Sequence, residues 1–254
     1  MQFEIGNPKF ESLKDNCYIM TAGEPLKGTQ IISSLKAHLS EKRDMTIDEI
    51  VAKLSREYQN LRKKVIEERV LLTRGFTTDQ FYQRFNTLPE WFARTIDQEL
   101  LEEPFDLEFL VFGIENDRAH IYTVSEKGDV DCYDSIGFAA IGSGRAQALA
   151  EIARYPYSST SSLGQALNLV YFAKKEAQRV AGVGAETDLG IMYITTEEDI
   201  AIWRADKEFL DLLDHEYDKL HSYHTAIHEE TTKLIEDRIY KRDEKPKDKE
   251  HEVV

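Results

Sequence analysis

Residues 3–23 read Phe3-Glu-Ile-Gly-Asn-Pro-Lys-Phe-Glu-Ser-Leu-Lys-Asp-Asn-Cys-Tyr-Ile-Met-Thr-Ala-Gly23, and they govern how the rest of the chain is understood. Lys9 and the apolar Phe10 precede a short polar turn. An apolar strand from Cys17 to Ala22 then runs into a small-small-glycine ending. After Leu26 the pattern changes to helical spacing, which assigns Leu26, Ile31, Ile32, Leu35 and Leu39 to one side of a helix. Beyond the turn Lys42-Arg43-Asp44, the run Thr46-Ile-Asp-Glu49 has the form of a capping box. In such a box a hydroxyl and a carboxylate reciprocally satisfy orphan N–H groups at a helix start. Ile47, Ile50, Val51, Leu54, Tyr58, Leu61 and Val65 carry that helix to about Val70.

Residues 72–104 differ in character. Gly75 breaks the period, Thr78 is placed to cap a short helix, and Phe76, Phe81, Tyr82, Phe85, Trp91 and Phe92 crowd together ahead of Pro104. This predicts a helical insertion whose aromatics either pack it onto the body or line a channel or subunit contact. Period-two segments come next at 107–114, 120–124, 130–133 and 137–141, an antiparallel meander. Helices are expected at 145–155 and from Leu163 to about Val180, the second entered through the serine-rich stretch 158–162. A hairpin at 189–194 and 200–203 leads to a long helix from Asp206 carrying Phe209, Leu212, Leu213, Tyr217, Leu220, Tyr223 and Ile227. Strands and helices in this order predict an α+β fold, a four-layer αββα sandwich with two stacked sheets between helices. One domain is drawn over 1–240, succeeded by a charged, flexible tail at 241–254.

Composition narrows the function classes. A chain of 254 residues with a formal charge of −15 lacks the concentrated basic face that a nucleic acid requires. No apolar run is long enough to cross a bilayer. Cys17 and Cys132 both fall in strand-like contexts, so packed thiols are expected and a cytoplasmic location is predicted. His221, His224 and His228 share one face of the last helix, yet no ligand cluster elsewhere in the sequence completes a metal site. No phosphate-cradling glycine loop or paired-cysteine zinc pattern appears, and no cofactor is expected.

Four segments taken together resemble one family. Lys9-Phe10 with Gly23 is similar to the catalytic-lysine and oxyanion-glycine segment of proteasome β-type subunits and of the related bacterial ATP-dependent peptidase. Ala140-Ile141-Gly142-Ser143-Gly144 before an alanine-rich helix resembles that family's Gly-Ser-Gly turn, and 162–170 resembles the helix after it. Thr187-Asp188-Leu-Gly190 resembles its second polar turn, with altered residues. The resemblance spans 3–204 apart from 72–104, and order and spacing carry it, since each motif alone is common.

The resemblance implies an N-terminal-nucleophile (Ntn) hydrolase acting on peptide substrates. In that chemistry one residue supplies both the attacking group and, through its α-amino group, the base. Lys9 would hold positive charge beside the nucleophile, and the Gly23 amide would donate to the oxyanion. Ser143 would bond the α-amino group or its water, and Asp188 or Thr187 would support the site from outside. It also implies like subunits in a homo-oligomeric ring and a ring-shaped ATPase as partner. The family's catalytic hairpin has no counterpart before Phe3, so the expectation is a truncated chain whose nucleophile lies upstream. The competing expectations are a non-catalytic ring subunit of the same fold and a small-amide amidase. Ser143 also has a simpler reading, as the cap of the helix that begins at Arg145.

Overall fold

The computed structural model describes residues 10–158 and 160–243. The chain folds as two units that part between Arg204 and Ala205, inside the 1–240 domain drawn from the sequence.

The first unit is built on a five-stranded antiparallel sheet in the order β1 (Phe10–Lys14), β2 (Cys17–Gly23), β3 (Leu107–Glu115), β4 (Arg118–Val124) and β5 (Val130–Cys132). The strands alternate as their period-two pattern requires. Cys17, Ile19, Leu107, Phe109, Val111, Tyr122 and Val124 form one apolar face. Two helices, α1 (Pro25–Glu41) and α2 (Ile47–Ile66), cover it with Ile31, Ile32, Leu35, Leu39, Ile50, Val51, Leu54 and Tyr58. The Tyr58 hydroxyl donates to the Leu107 carbonyl at 2.8 Å, which satisfies its only polar side-chain atom inside that core. The capping box at Thr46 forms as expected: Glu49 N–H donates to the Thr46 hydroxyl at 3.2 Å and Thr46 N–H to the Glu49 carboxylate at 3.0 Å. Leu26 does not join the apolar side. It is 79% exposed beside Pro25 at the helix start, more than a quarter turn away from Ile31.

Beyond Ile66 the helix widens into a π-helical turn over Glu67–Leu71 and tightens over Leu72–Arg74. Two short helices, α3 (Thr78–Arg84) and α4 (Glu90–Glu102), then pack back on that turn. Phe81 and Ile96 close a small core with Ile66, Val70 and Leu71, against which Phe76, Phe85 and Phe92 lie. The insertion therefore uses most of its aromatics to pack itself. The cap of α3 is Thr77 rather than Thr78, because the box closes with Gln80 three residues on.

On the other sheet face Phe10, Tyr18 and Phe112 form a ring cluster with centroids 5.8–6.2 Å apart. Arg204, at the end of the hairpin β6 (Gly190–Ile194) and β7 (Ile200–Arg204), lies over the Phe10 ring at 4.2 Å. Helices α5 (Arg145–Ile152) and α6 (Leu163–Ala177) share a third core of Ala148, Ile152, Leu169, Ala173 and Ala177. Residues 137–141 are not a strand. The chain turns at Tyr133–Gly137, with Gly137 N–H on the Tyr133 carbonyl at 2.7 Å, and then runs as a loop. Together these elements make a mixed α+β fold with two antiparallel sheets. Of the two cysteines, Cys17 is packed, whereas Cys132 on the edge strand is exposed, contrary to the expectation of two packed thiols.

The second unit is the helix α7 (Lys207–Asp243), whose N-terminus is held by the Asp206 carboxylate accepting from Phe209 N–H at 2.8 Å. The helix continues to Asp243, into the segment expected as a flexible tail; the remainder of that tail lies outside the described residues.

Candidate functional site

Gly23 ends β2 opposite Leu107, with Ala22 opposite Glu108. Its φ of +99° lies in the region that only glycine adopts freely, and a Cβ there would meet the Asp106 carbonyl oxygen at 2.3 Å. The next residue closes the ladder, Glu24 N–H donating to that same carbonyl at 2.8 Å. Antiparallel ladders alternate bonded and non-bonded pairs, so the Gly23–Leu107 pair is a non-bonded one, and the Gly23 N–H is directed away from β3.

The Gly142-Ser143-Gly144 turn comes to the same place from the other end of the unit. Gly142 turns with φ +82° and lies so close to β2 that a Cβ would stand 3.1 Å from that of Ala22. Glu108 fastens the turn to β3. Its carboxylate accepts from Gly142 N–H at 2.8 Å and from Arg145 Nη1 at 2.9 Å. A carboxylate on a side chain only 12% exposed requires such partners, because leaving a buried charge unpaired is strongly destabilising. The N-cap of α5 is Gly144, with no side-chain cap bond, so Ser143 does not cap the helix and its side chain is exposed.

Ala22, Gly23, Asp106, Glu108, Glu126, Gly142, Ser143, Arg145 and Ala146 together line a cleft of about 310 Å³. Two of the four residues singled out from the sequence, Gly23 and Ser143, thus share one cleft. Asp188 is not among its lining residues; it pairs with Arg204 at 3.7 Å, near the Phe10 ring. Lys9 lies outside the described residues, and its neighbour Phe10 pairs with Met20. Glu108 and Arg145 were not foreseen. The signal that could have found them was Glu108 itself, an acid in the otherwise apolar run Leu107-Glu-Phe-Leu-Val-Phe112.

A larger groove of about 640 Å³ between α1 and α2 is lined mostly by charged side chains of both signs, including Lys42, Arg43, Asp44 and Arg56. It holds neither a buried polar group nor a nucleophile, and it is a solvated helix junction. Among the described residues, no group of three or more His, Cys, Asp or Glu could hold a metal ion, the histidines of α7 included.

The small cleft sets Gly23 beside an exposed hydroxyl, and the turn that carries the hydroxyl is locked by a buried carboxylate. Compared with known proteins, the sequence matches no family model and no curated protein.

Proposed function

We propose that the chain is a proteasome-like subunit of the N-terminal-nucleophile type, hydrolysing peptide bonds through an acyl-enzyme. The observation that carries this reading is the meeting of Gly23 and Ser143 in one cleft, on a turn that Glu108 clamps to β3. In this reading the Gly23 amide donates to the oxyanion of the tetrahedral intermediate. The Ser143 hydroxyl holds the α-amino group of the attacking residue, or a water bound to it, and Lys9 supplies positive charge beside the nucleophile. The attacking residue itself lies outside the four segments that carry the resemblance. The layers fit the same proposal: helices α1 and α2 on one face of the large sheet and the β6–β7 hairpin towards the other would be three parts of an αββα sandwich. Like subunits would assemble into a ring, with a ring-shaped ATPase as the outside partner and the cytoplasm as location.

The test is a fluorogenic-peptide assay on the full-length protein. Hydrolysis is expected, falling about 10²–10⁴-fold on Lys9→Ala, the range for removing a proton-transfer group. Reproducible inactivity of the folded protein would replace this reading with a non-catalytic ring subunit. Turnover of small amides alone would make the protein an amidase. Peptidase activity indifferent to Lys9→Ala would take Lys9 out of the site.

A further inference from the structure

We propose that α7 pairs antiparallel with α7 of a second copy of this chain, about a two-fold axis at Ile227, whether or not the peptidase reading holds. At about 100° per residue, Leu220, Tyr223, Ile227 and Leu234 fall on one side of the helix. Asp218, Thr225, Glu229 and Glu236 fall on the other. A helix of this pattern normally lays its apolar stripe on a core. Here every residue from His221 to Tyr240 is exposed, with Tyr223 at 59%, Ile227 at 60% and Leu234 at 63%. The stretch also gains little from local propensity. Thr225 and Thr232 turn their hydroxyls back on the carbonyls four residues earlier, at 3.0 and 2.9 Å, an arrangement that weakens a helix slightly. Helical stability comes mainly from packing an amphipathic face, so the stripe calls for a cover.

The stripe is complementary to itself. In an antiparallel pair centred on Ile227, residues equally far before and after it come to the same height. Ile227 then meets Ile227, Leu220 meets Leu234, and Glu216 meets Arg238, the last two pairs formed twice by symmetry. Glu216 and Arg238 both lie within about 20° of Ile227 around the helix, so their charges stand on the seam. Within its own chain Glu216 has only the half-exposed Lys219, at 3.7 Å. Tyr223 comes beside Glu230 of the second copy, an acceptor for a hydroxyl that the pairing would bury. Parallel pairing would instead set Glu216 on Glu216 and Arg238 on Arg238, like charge on like. A lipid surface is the poorer occupant, because acids outnumber bases over 207–240, whereas interfacial helices carry a basic polar face. The paired stretch from Glu216 to Arg238 is about 33 Å long; Ile235 flanks it, and Ile239 and Tyr240 lie off it.

Cross-linking in the whole protein reads this arrangement directly. Cys132→Ser removes the exposed thiol, and single cysteines are then placed on α7. Under mild oxidation Ile227→Cys should be captured as a disulfide-linked dimer. Glu216→Cys should not link to itself, but mixed with Arg238→Cys it should give the heterodimer. Sedimentation velocity tests the charges. Glu216→Arg and Arg238→Glu, each alone, should weaken dimerisation about tenfold, and the two together should restore it to within about threefold. Both positions are exposed, and circular dichroism checks that each variant is folded. Linking of Glu216→Cys to itself, failure of Ile227→Cys to link, or a charge-swapped double variant no better than its singles would overturn the inference. Association through the first unit alone, or capture of a different protein on the stripe, would give neither the cross-links nor the rescue and would overturn it as well.

Discussion

At the scale of single residues, three side-chain environments lead to distinct measurements. Gly23 combines a positive φ with a backbone oxygen 2.3 Å from the place a Cβ would occupy, so strain and overlap add. Gly23→Ala should lower stability by about 2–4 kcal/mol, read from the urea midpoint, because neither β2 nor the Asp106 peptide can yield without breaking the Glu24 bond. The two thiols should separate chemically. Burial, with help from the Glu115 charge, pushes the Cys17 thiol up to about 12, whereas Cys132 is exposed. A thiol-specific reagent at mildly alkaline pH should therefore label Cys132 in the native protein and Cys17 only after denaturation. Asp134 gives the pH dependence. Burial pushes its carboxyl up, but the Ile121 N–H at 2.8 Å and the His120 ring at 2.7 Å outweigh it and hold the group below the ordinary aspartate range. A depressed folded value means stability that is present above the unfolded value, about 3.9, and lost as pH falls through the folded one. Asp134→Asn should thus destabilise at neutral pH, and its gap from the parent should close in acid. A gap constant with pH would show that the carboxylate's charge is not what the site uses.

At the scale of elements, local rules were legible wherever a period or a cap carried them. The strand at Cys17, the Thr46 box and the helix beyond it all lie where their residues point, since hydrophobic spacing and reciprocal hydrogen bonds are local properties. The failures were also local, but conditional. Thr77 and Thr78 are equally good caps by type, and only Gln80, three positions on, selects the first. Residues 137–141 have strand-like composition, but the turn closing on Tyr133 directs them off the sheet before they can pair. The aromatic insertion had two readings, and packing favours the self-contained one: Phe81 is fully buried on the π-helical turn, whereas Trp91 is 72% exposed. Phe81→Ala should then cost about 3–5 kcal/mol. Hydrogen exchange should show that cost concentrated in residues 66–102, with the strands of the large sheet less affected. Loss of protection spread evenly over the sheet would mean that the insertion is part of the main core.

At the scale of the whole molecule, the site was less legible than the fold, for a physical reason. Gly23 and Ser143 were found through a resemblance of order and spacing, but Glu108, Arg145 and Glu126 reach the cleft through sheet register and loop path, which no period in the sequence encodes. Assembly is the property that most needs the full chain. The first unit leaves large apolar groups exposed: Leu163 and Val170 on α6, and Tyr193 and Ile194 on the β6–β7 hairpin. On α6 the division is sharp, since Leu169, Ala173 and Ala177 face the core with α5 while Leu163 and Val170, seven residues apart, stand almost in line on the outside. Exposed apolar side chains aligned on one helix face have the form of an interaction face. A homo-oligomer built through it should scatter light at a multiple of the 29.3 kDa chain mass. The Leu163→Lys/Val170→Glu double variant should lower that multiple with little loss of thermal stability, because both side chains are exposed and contribute little to the fold of one chain. An unchanged mass in the variant would clear α6 of the role and move attention to the hairpin. A parent protein that stays monomeric at working concentration would remove the ring from the proposal, and with it the reason for the exposed face.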